Sequence, residues 1–358
     1  MSTQRAWALV LAIWRPRLVV AIHAAWADTL KHMRAYQRKH GKPHGEAFAR
    51  WQPDACAGTA GRVPTLWFIG NSVSRIHFFA ALAILNTQEG YTQVGIPEQI
   101  TQCGRGGEWK GRRPGQGLSC LGPCSCSDNV PKSNMSLVFV WQQQNWDPAL
   151  NTILTGGRFS PNQSPVQAGD VVLLSTGLDP IYDLFKRSLT KKKSRGADGH
   201  LIQGNYTYFA ERWRDTLRLH AEQLATSVAA SWRSGRRVFW RTSTPDCFPT
   251  NATRNQFAPA LMAGSSGRAV MESLGITSHS EWTNTLLDEN DAVIRTALKR
   301  RGLPVIDMRE LEAAASGCRE VGCLCDGYVD STRLHPGPLL AGQQVARLLA
   351  KTDQHCSA

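Results

Sequence analysis

The sequence predicts an α/β fold, a mostly parallel sheet with helices on both faces, and three observations carry that reading. Short apolar runs bounded by turn residues recur at 65–70, 136–141, 170–175, 237–242 and 304–308, each the length of a buried strand. Between them, Phe209, Trp213, Leu217, Ala221, Leu224, Val228 and Trp232 recur at three- and four-residue steps, the stripe of an amphipathic helix lying on a sheet. The two signals alternate with no clear linker, and strands separated by helices pair in parallel. With 358 residues, 42% of them hydrophobic and 19% charged, the chain has apolar material for one elaborated domain, placed at 64–352.

Taken in order, residues 1–27 hold two apolar stretches split by Arg15-Pro16-Arg17 and end Ala25-Trp26-Ala27. They read as a secretory signal with a small-residue cleavage site, with a membrane anchor as the alternative; the mid-segment arginines and proline are costly at a bilayer centre. Residues 28–63 form a polar N-terminal extension. The run 65–70 is the first strand, and residues 75–86, free of Gly and Pro, are the helix after it. A Gly/Arg/Pro-rich, cysteine-bearing stretch at 103–127 reads as an inserted loop, and a basic run at 186–199 as a solvated one. Residues 284–301 and 338–351 supply two further helices.

Thr-Leu-Trp-Phe-Ile-Gly-Asn-Ser-Val-Ser-Arg, at 65–75, sets Ser72 in the turn between first strand and first helix. Gly70 permits tight backbone there, and amides opening a helix suit a developing oxyanion, so Ser72 is a candidate nucleophile. The segment Cys-Asp-Gly-Tyr-Val-Asp-Ser-Thr-Arg-Leu-His-Pro-Gly, at 325–337, brings Asp330 and His335 together before the final helix. His335 is the candidate base and Asp330 its orienting acid. The order Ser, then Asp and His near the C-terminus, differs from that of the common serine proteases. His77 and His220, within predicted helices, read as packing or surface residues.

These residues resemble the SGNH (GDSL-like) hydrolases, and specifically their PC-esterase branch, which includes plant trichome-birefringence-like polysaccharide O-acetyltransferases. Trp-Phe-Ile-Gly-Asn-Ser-Val-Ser-Arg (67–75) is similar to the branch's Gly-Asp-Ser-x-x-Arg block, and Asp-Val-Val-Leu-Leu-Ser-Thr-Gly (170–177) to its second strand block. Val-Phe-Trp-Arg-Thr-Ser-Thr-Pro (238–245) resembles the Phe-Arg-Thr-x-Ser-Pro block, and Val-Ile-Asp-Met-Arg (305–309) the last strand before the Asp/His block. The resemblance spans roughly residues 64–351 and implies a three-layer α/β/α sandwich with a Cys-rich loop insertion. It further implies serine-dependent O-acyl transfer to or from carbohydrate hydroxyls, with Gly177 as a second oxyanion amide. Gly70, Asn71, Arg75 and Arg241 would line the oxyanion and substrate site. No bound cofactor is implied; acetyl-CoA or an acetylated glycan would donate the acyl group. Two departures stand out: Asn71 replaces the block's Asp, and Asp-x-x-His becomes Asp330-x-x-x-x-His335, which leaves Asp326 as the alternative acid. A plain carbohydrate esterase and a catalytically silent glycan-binding protein are the rival readings.

Ten cysteines are present, seven in two clusters, Cys103 with Cys120, Cys124 and Cys126, and Cys318 with Cys323 and Cys325. Their spacings fit tetrahedral zinc poorly and fit disulfides in a poorly cored loop, so no metal is expected. Sequons at Asn134, Asn162, Asn205 and Asn251 agree with secretory passage, to the Golgi or outside the cell. The net charge of +13 first points to nucleic acid, but no nucleic-acid-binding signature accompanies it. A basic surface also suits an acidic glycan or an anionic acyl donor.

Overall fold

Leu66, Trp67, Phe68 and Ile69 are buried whichever face they point to, as expected of a strand covered on both sides. This strand, β1 (Thr65–Gly70), is the centre of the molecule. The computed structural model describes residues 64–88, 119–121, 125–130, 135–158, 165–177, 180, 205–245, 279–316 and 338–357. The segments at 1–63 and 186–199, Asp326, Asp330 and His335 lie outside the described residues.

After β1 come α1 (Ser72–Gln88), β2 (Ser119–Leu121), β3 (Ser125–Val130), β4 (Met135–Trp141) and α2 (Pro148–Leu154). Then follow β5 (Val171–Ser175), α3 (Asn205–Arg233), β6 (Arg237–Arg241), α4 (His279–Lys299), β7 (Val305–Ile306), α5 (Met308–Ser316) and α6 (Pro338–Ser357). Among the described residues they build a seven-stranded sheet of order β2-β3-β4-β1-β5-β6-β7. The five strands β4, β1, β5, β6 and β7 are parallel, and β3 and β2 extend that sheet antiparallel beyond β4.

Alternation along each strand divides the core into two layers. Leu66, Phe68, Phe139, Leu173 and Phe239 meet Phe78 of α1 and Val345 and Leu348 of α6. On the opposite face Trp67, Ile69, Val140, Leu174 and Trp240 meet Leu150 of α2, Leu217 and Leu224 of α3, and Ile294 of α4. The expected α/β class, with helices on both faces of a parallel sheet, is therefore present.

Local departures from the sequence expectations have local causes. The helix placed at 75–86 begins at Ser72, because Asn71 caps it: its Oδ1 accepts the Val73 amide at 3.1 Å. The strand placed at 304–308 contracts to Val305–Ile306, because Asp307 leaves the sheet to cap α5, accepting the amides of Arg309 and Glu310 at 3.1 and 3.2 Å. Part of the stretch placed in a loop at 103–127 is strand instead: β2 and β3 pair with Cys120 opposite Cys126. Helix α2 was not anticipated; Asp147 caps it, taking the Leu150 amide at 2.7 Å, and Pro148 opens it.

At the amino end of the central pair, buried Asp170 clamps β5 to β1. Its carboxylate accepts the Thr65 amide (2.9 Å), the Trp67 indole N–H (3.2 Å) and the Gln167 amide (2.9 Å). The clamp fixes the sliding register of the two strands, and so the level at which their carboxyl ends finish.

Candidate active site

The order β4-β1-β5 reverses direction about β1: the chain leaves β1 for one neighbour and returns to the other. In open parallel sheets such a switch point is where the crevice opens, at the strand carboxyl ends. Gly70 and Ser175 are register partners there. Ser72 and Gly177 each stand two residues beyond that pair, so the fold brings these two candidates to the same edge of adjacent strands.

The turn is close-packed to a degree only glycine allows. Gly70 has φ +153°, and a β-carbon on it would lie 1.8 Å from the Ser175 carbonyl oxygen and 2.2 Å from Ser74 Oγ. Ser74 Oγ donates to that same carbonyl at 3.2 Å, tying the first turn of α1 to the end of β5. Gly177 adopts φ +57°, and a β-carbon there would lie 2.5 Å from Asn71 Nδ2. Asn71, 5% exposed, thus fills two roles: its oxygen caps α1 and its NH2 lies against Gly177.

Ser72 is half-buried as the first residue of α1, where the opening amides have no intrahelical acceptor and the helix dipole is positive. Arg75, one turn on, lays its guanidinium over Trp141 with 5.5 Å from Cζ to the ring centroid. Trp141 ends β4 opposite Gly70, so this cation and indole border the same turn.

Arg241 is placed beneath the site: it is 1% exposed, and its Nη2 donates to Ser74 Oγ at 2.7 Å. Its charge acts on a buried polar group between α1, α5 and α6. Burial first, and then Arg241, hold His77 down to about 3, so its imidazole is neutral. Gln344 accepts from His77 Nε2 at 2.8 Å while donating its NH2 to Glu312, which fixes the Nε2–H tautomer; His77 Nδ1 has no hydrogen-bond partner among the described residues. Burial pushes Glu312 up to about 7, against the pull of Gln344 and of the nearby arginines 347, 309 and 241.

On the other side of the site, the loops after β4, β5 and β6 are joined by buried polar side chains. Thr176, Asn145, Asn290, Asp291 and Ser243 hydrogen-bond in succession, and burial pushes Asp291 up to about 6 despite the bonds from Ser243. The sequence reading gave none of the five a role, although Thr176 and Ser243 fall within two of the blocks it singled out, and it missed Asn145, Asn290 and Asp291 altogether. A signal was nonetheless present: in α4, Asn290 and Asp291 fall between Leu287 and Ile294 at three- and four-residue steps, polar residues on an apolar stripe.

Among the described residues there is no group of three or more His, Cys, Asp or Glu side chains placed to hold a metal ion, and no helix long and apolar enough to cross a membrane. Comparison with family models, curated proteins and solved structures finds no match to this chain.

Proposed function

We propose that the chain carries out serine-dependent O-acyl transfer, O-acetyl in the simplest case, to or from carbohydrate hydroxyls through an acyl-serine at Ser72. The observation that carries the reading is the register: Gly70 and Ser175 are partners, so Ser72, opening α1, and Gly177, with φ +57°, each follow by two residues at the sheet's switch point. A hydroxyl at a helix start, near a second backbone amide at Gly177, suits attack on an acyl carbonyl, whose oxyanion the two amides would hold. Each such donor is typically worth about 3 kcal/mol in the transition state.

In this mechanism His335 takes the Ser72 proton as Oγ attacks the acyl carbonyl. Asp330, or Asp326 in its place, fixes the tautomer and balances the imidazolium. The tetrahedral intermediate collapses with His335 protonating the leaving group, the sugar oxygen of an acetylated glycan or the thiolate sulfur of CoA, and the acyl group then passes from Ser72 to a sugar hydroxyl or to water. Acetyl-CoA or an acetylated glycan serves as donor and a glycan as acceptor, with Arg75 and Trp141 bordering the place the acceptor must enter. Transfer to water alone would make the protein a carbohydrate esterase. Cys356 at the end of α6 is disulfide-bonded, which supports an oxidising compartment, the secretory pathway, Golgi or cell exterior.

A fluorophosphonate probe tests the reading directly. It should label the wild-type protein on Ser72, and Ser72→Ala should lose both labelling and acetyl release or transfer, followed by mass spectrometry on acetylated and unacetylated glycans. Undiminished turnover in the alanine variant would end the serine mechanism. Glycan binding with neither labelling nor turnover would establish the silent binding protein instead.

A further inference from the structure

The five buried polar residues beside the site form a chain with one direction. Thr176 Oγ1 donates to Asn145 Oδ1 at 2.5 Å, Asn145 Nδ2 donates to Asn290 Oδ1 at 2.6 Å, and Asn290 Nδ2 donates to Asp291 Oδ1 at 3.5 Å. From the far side, the Ser243 amide donates to Asp291 Oδ2 at 2.7 Å and its hydroxyl to Oδ1 at 3.4 Å. Every donor points toward the Asp291 carboxylate, and each carboxamide is oriented by having its oxygen and nitrogen engaged in opposite directions. All five side chains are buried.

Filling space this way is energetically poor. Apolar side chains of the same shape would be about as stabilising, whereas one missing link leaves a buried polar group without its bond, at about 1–3 kcal/mol. What a polar chain supplies and an apolar plug does not is a fixed orientation, with successive bonds polarising one another. This chain ends on Thr176, whose carbonyl carbon begins the peptide of Gly177. Gly177 has no side chain to anchor it and adopts φ +57°.

We propose that Asp291, Asn290 and Asn145 are positioning residues that, through Thr176, set the orientation of the Gly177 amide at the candidate active site. The inference rests on the serine reading for its catalytic meaning, but its geometric content is separate. Asp291 lies three hydrogen bonds from Thr176 and is not expected to touch substrate; it acts as the fixed acceptor against which the chain aligns.

Two measurements test it. The chain contains two Thr-Gly steps, Thr155-Gly156 and Thr176-Gly177, so protein carrying carbonyl-13C threonine and 15N glycine gives one carbonyl-edited amide peak for each. Asn290→Ala should shift or broaden the Gly177 peak and leave Gly156 unmoved. A Gly177 peak that stays in place overturns the proposal. Hydrolysis of p-nitrophenyl acetate supplies the second readout. Thr176→Val, which keeps the shape and loses the hydroxyl, should lower kcat at least tenfold with KM within about twofold, and Thr176→Ser should restore most of it. Equal loss in both variants, or a loss confined to KM, would mean that Thr176 is merely structural and would overturn the proposal. If the wild-type protein neither labels nor turns over, the serine reading fails by itself and the Gly177 peak alone decides the positioning chain.

Discussion

Gly177 meets Asn71 as a bare α-carbon against a carboxamide: a β-carbon at position 177 would sit 2.5 Å from Asn71 Nδ2. The residue that caps α1 and the glycine two residues past β5 are therefore a fitted pair, each limiting what the other can be. Gly177→Ala should cost about 1–3 kcal/mol in urea denaturation, from the positive φ and the clash together, and should abolish fluorophosphonate labelling of Ser72. Asn71→Asp retains the oxygen that accepts the Val73 amide, and a carboxylate is favourable at a helix start. Its stability should stay within about 1 kcal/mol of wild type.

The orienting acid is tested by paired substitutions. Asp330→Asn should leave fold and substrate binding intact and lower turnover by orders of magnitude, since an amide favours the wrong imidazole tautomer, while Asp326→Asn should do little. The reverse pattern assigns the role to Asp326.

Arg241 holds Ser74 from below while its field favours the ionised form of Glu312. Arg241→Met should destabilise the fold more at pH 8, where ionised Glu312 loses one of the three arginine fields that favour it, than at pH 5, where Glu312 is protonated. Adding Glu312→Gln should relieve part of the loss at pH 8. Purely additive effects in that double-mutant cycle would disprove the coupling.

Stability should depend on pH in opposite senses at two buried groups. Glu312 sits at about 7 in the fold against an ordinary 4.5, so its favourable contribution is complete below pH 4.5 and is lost as pH rises through 7. His77 sits at about 3 against 6.5, so its contribution is present above pH 6.5 and is lost as pH falls toward 3. Relative to Glu312→Gln, the wild-type protein should lose on the order of 3 kcal/mol between pH 4.5 and pH 8. Relative to His77→Gln it should lose stability on acidification from pH 6.5. Chemical denaturation across that range measures both differences.

Peptide mapping without reduction should find Cys356 bridged and further bridges within the 103–126 and 318–325 clusters. Alkylation of all ten thiols without prior reduction would exclude the oxidising compartment.

The parts of this fold legible in the sequence are those set by burial. β1, β5 and β6 are apolar on both faces, and Trp213, Leu217, Ala221, Leu224 and Val228 in α3 are buried as their spacing requires. The places of Ser72 and Gly177 just past strand carboxyl ends were legible because each follows such a strand. The β2–β3 pair was not, since Ser-Cys-Leu and Ser-Cys-Ser-Asp-Asn-Val carry little apolar signal; β3 forms because the edge of β4 offers it hydrogen bonds, and β2 because β3 then does. Asn145, Asn290 and Asp291 escaped notice because a polar residue on a helix or loop reads as solvated until tertiary structure shows what covers it.

The Asp170 clamp also bears on how the protein is made. The bonds from Asp170 to Thr65 and Trp67 span more than one hundred residues, and both flanking partners of the central strand, β4 and β5, are synthesised well after it. At roughly 5–20 residues per second, a ribosome needs about 5–20 s to deliver the second neighbour after the first strand has emerged. Until β4 emerges, about two-thirds of the way through that interval, Leu66, Trp67, Phe68 and Ile69 have no neighbouring strand, and they lack the second one until its end; closing so long a loop is itself slow. The segment that leads into Ser72 is thus one that a nascent chain must keep from aggregating for many seconds.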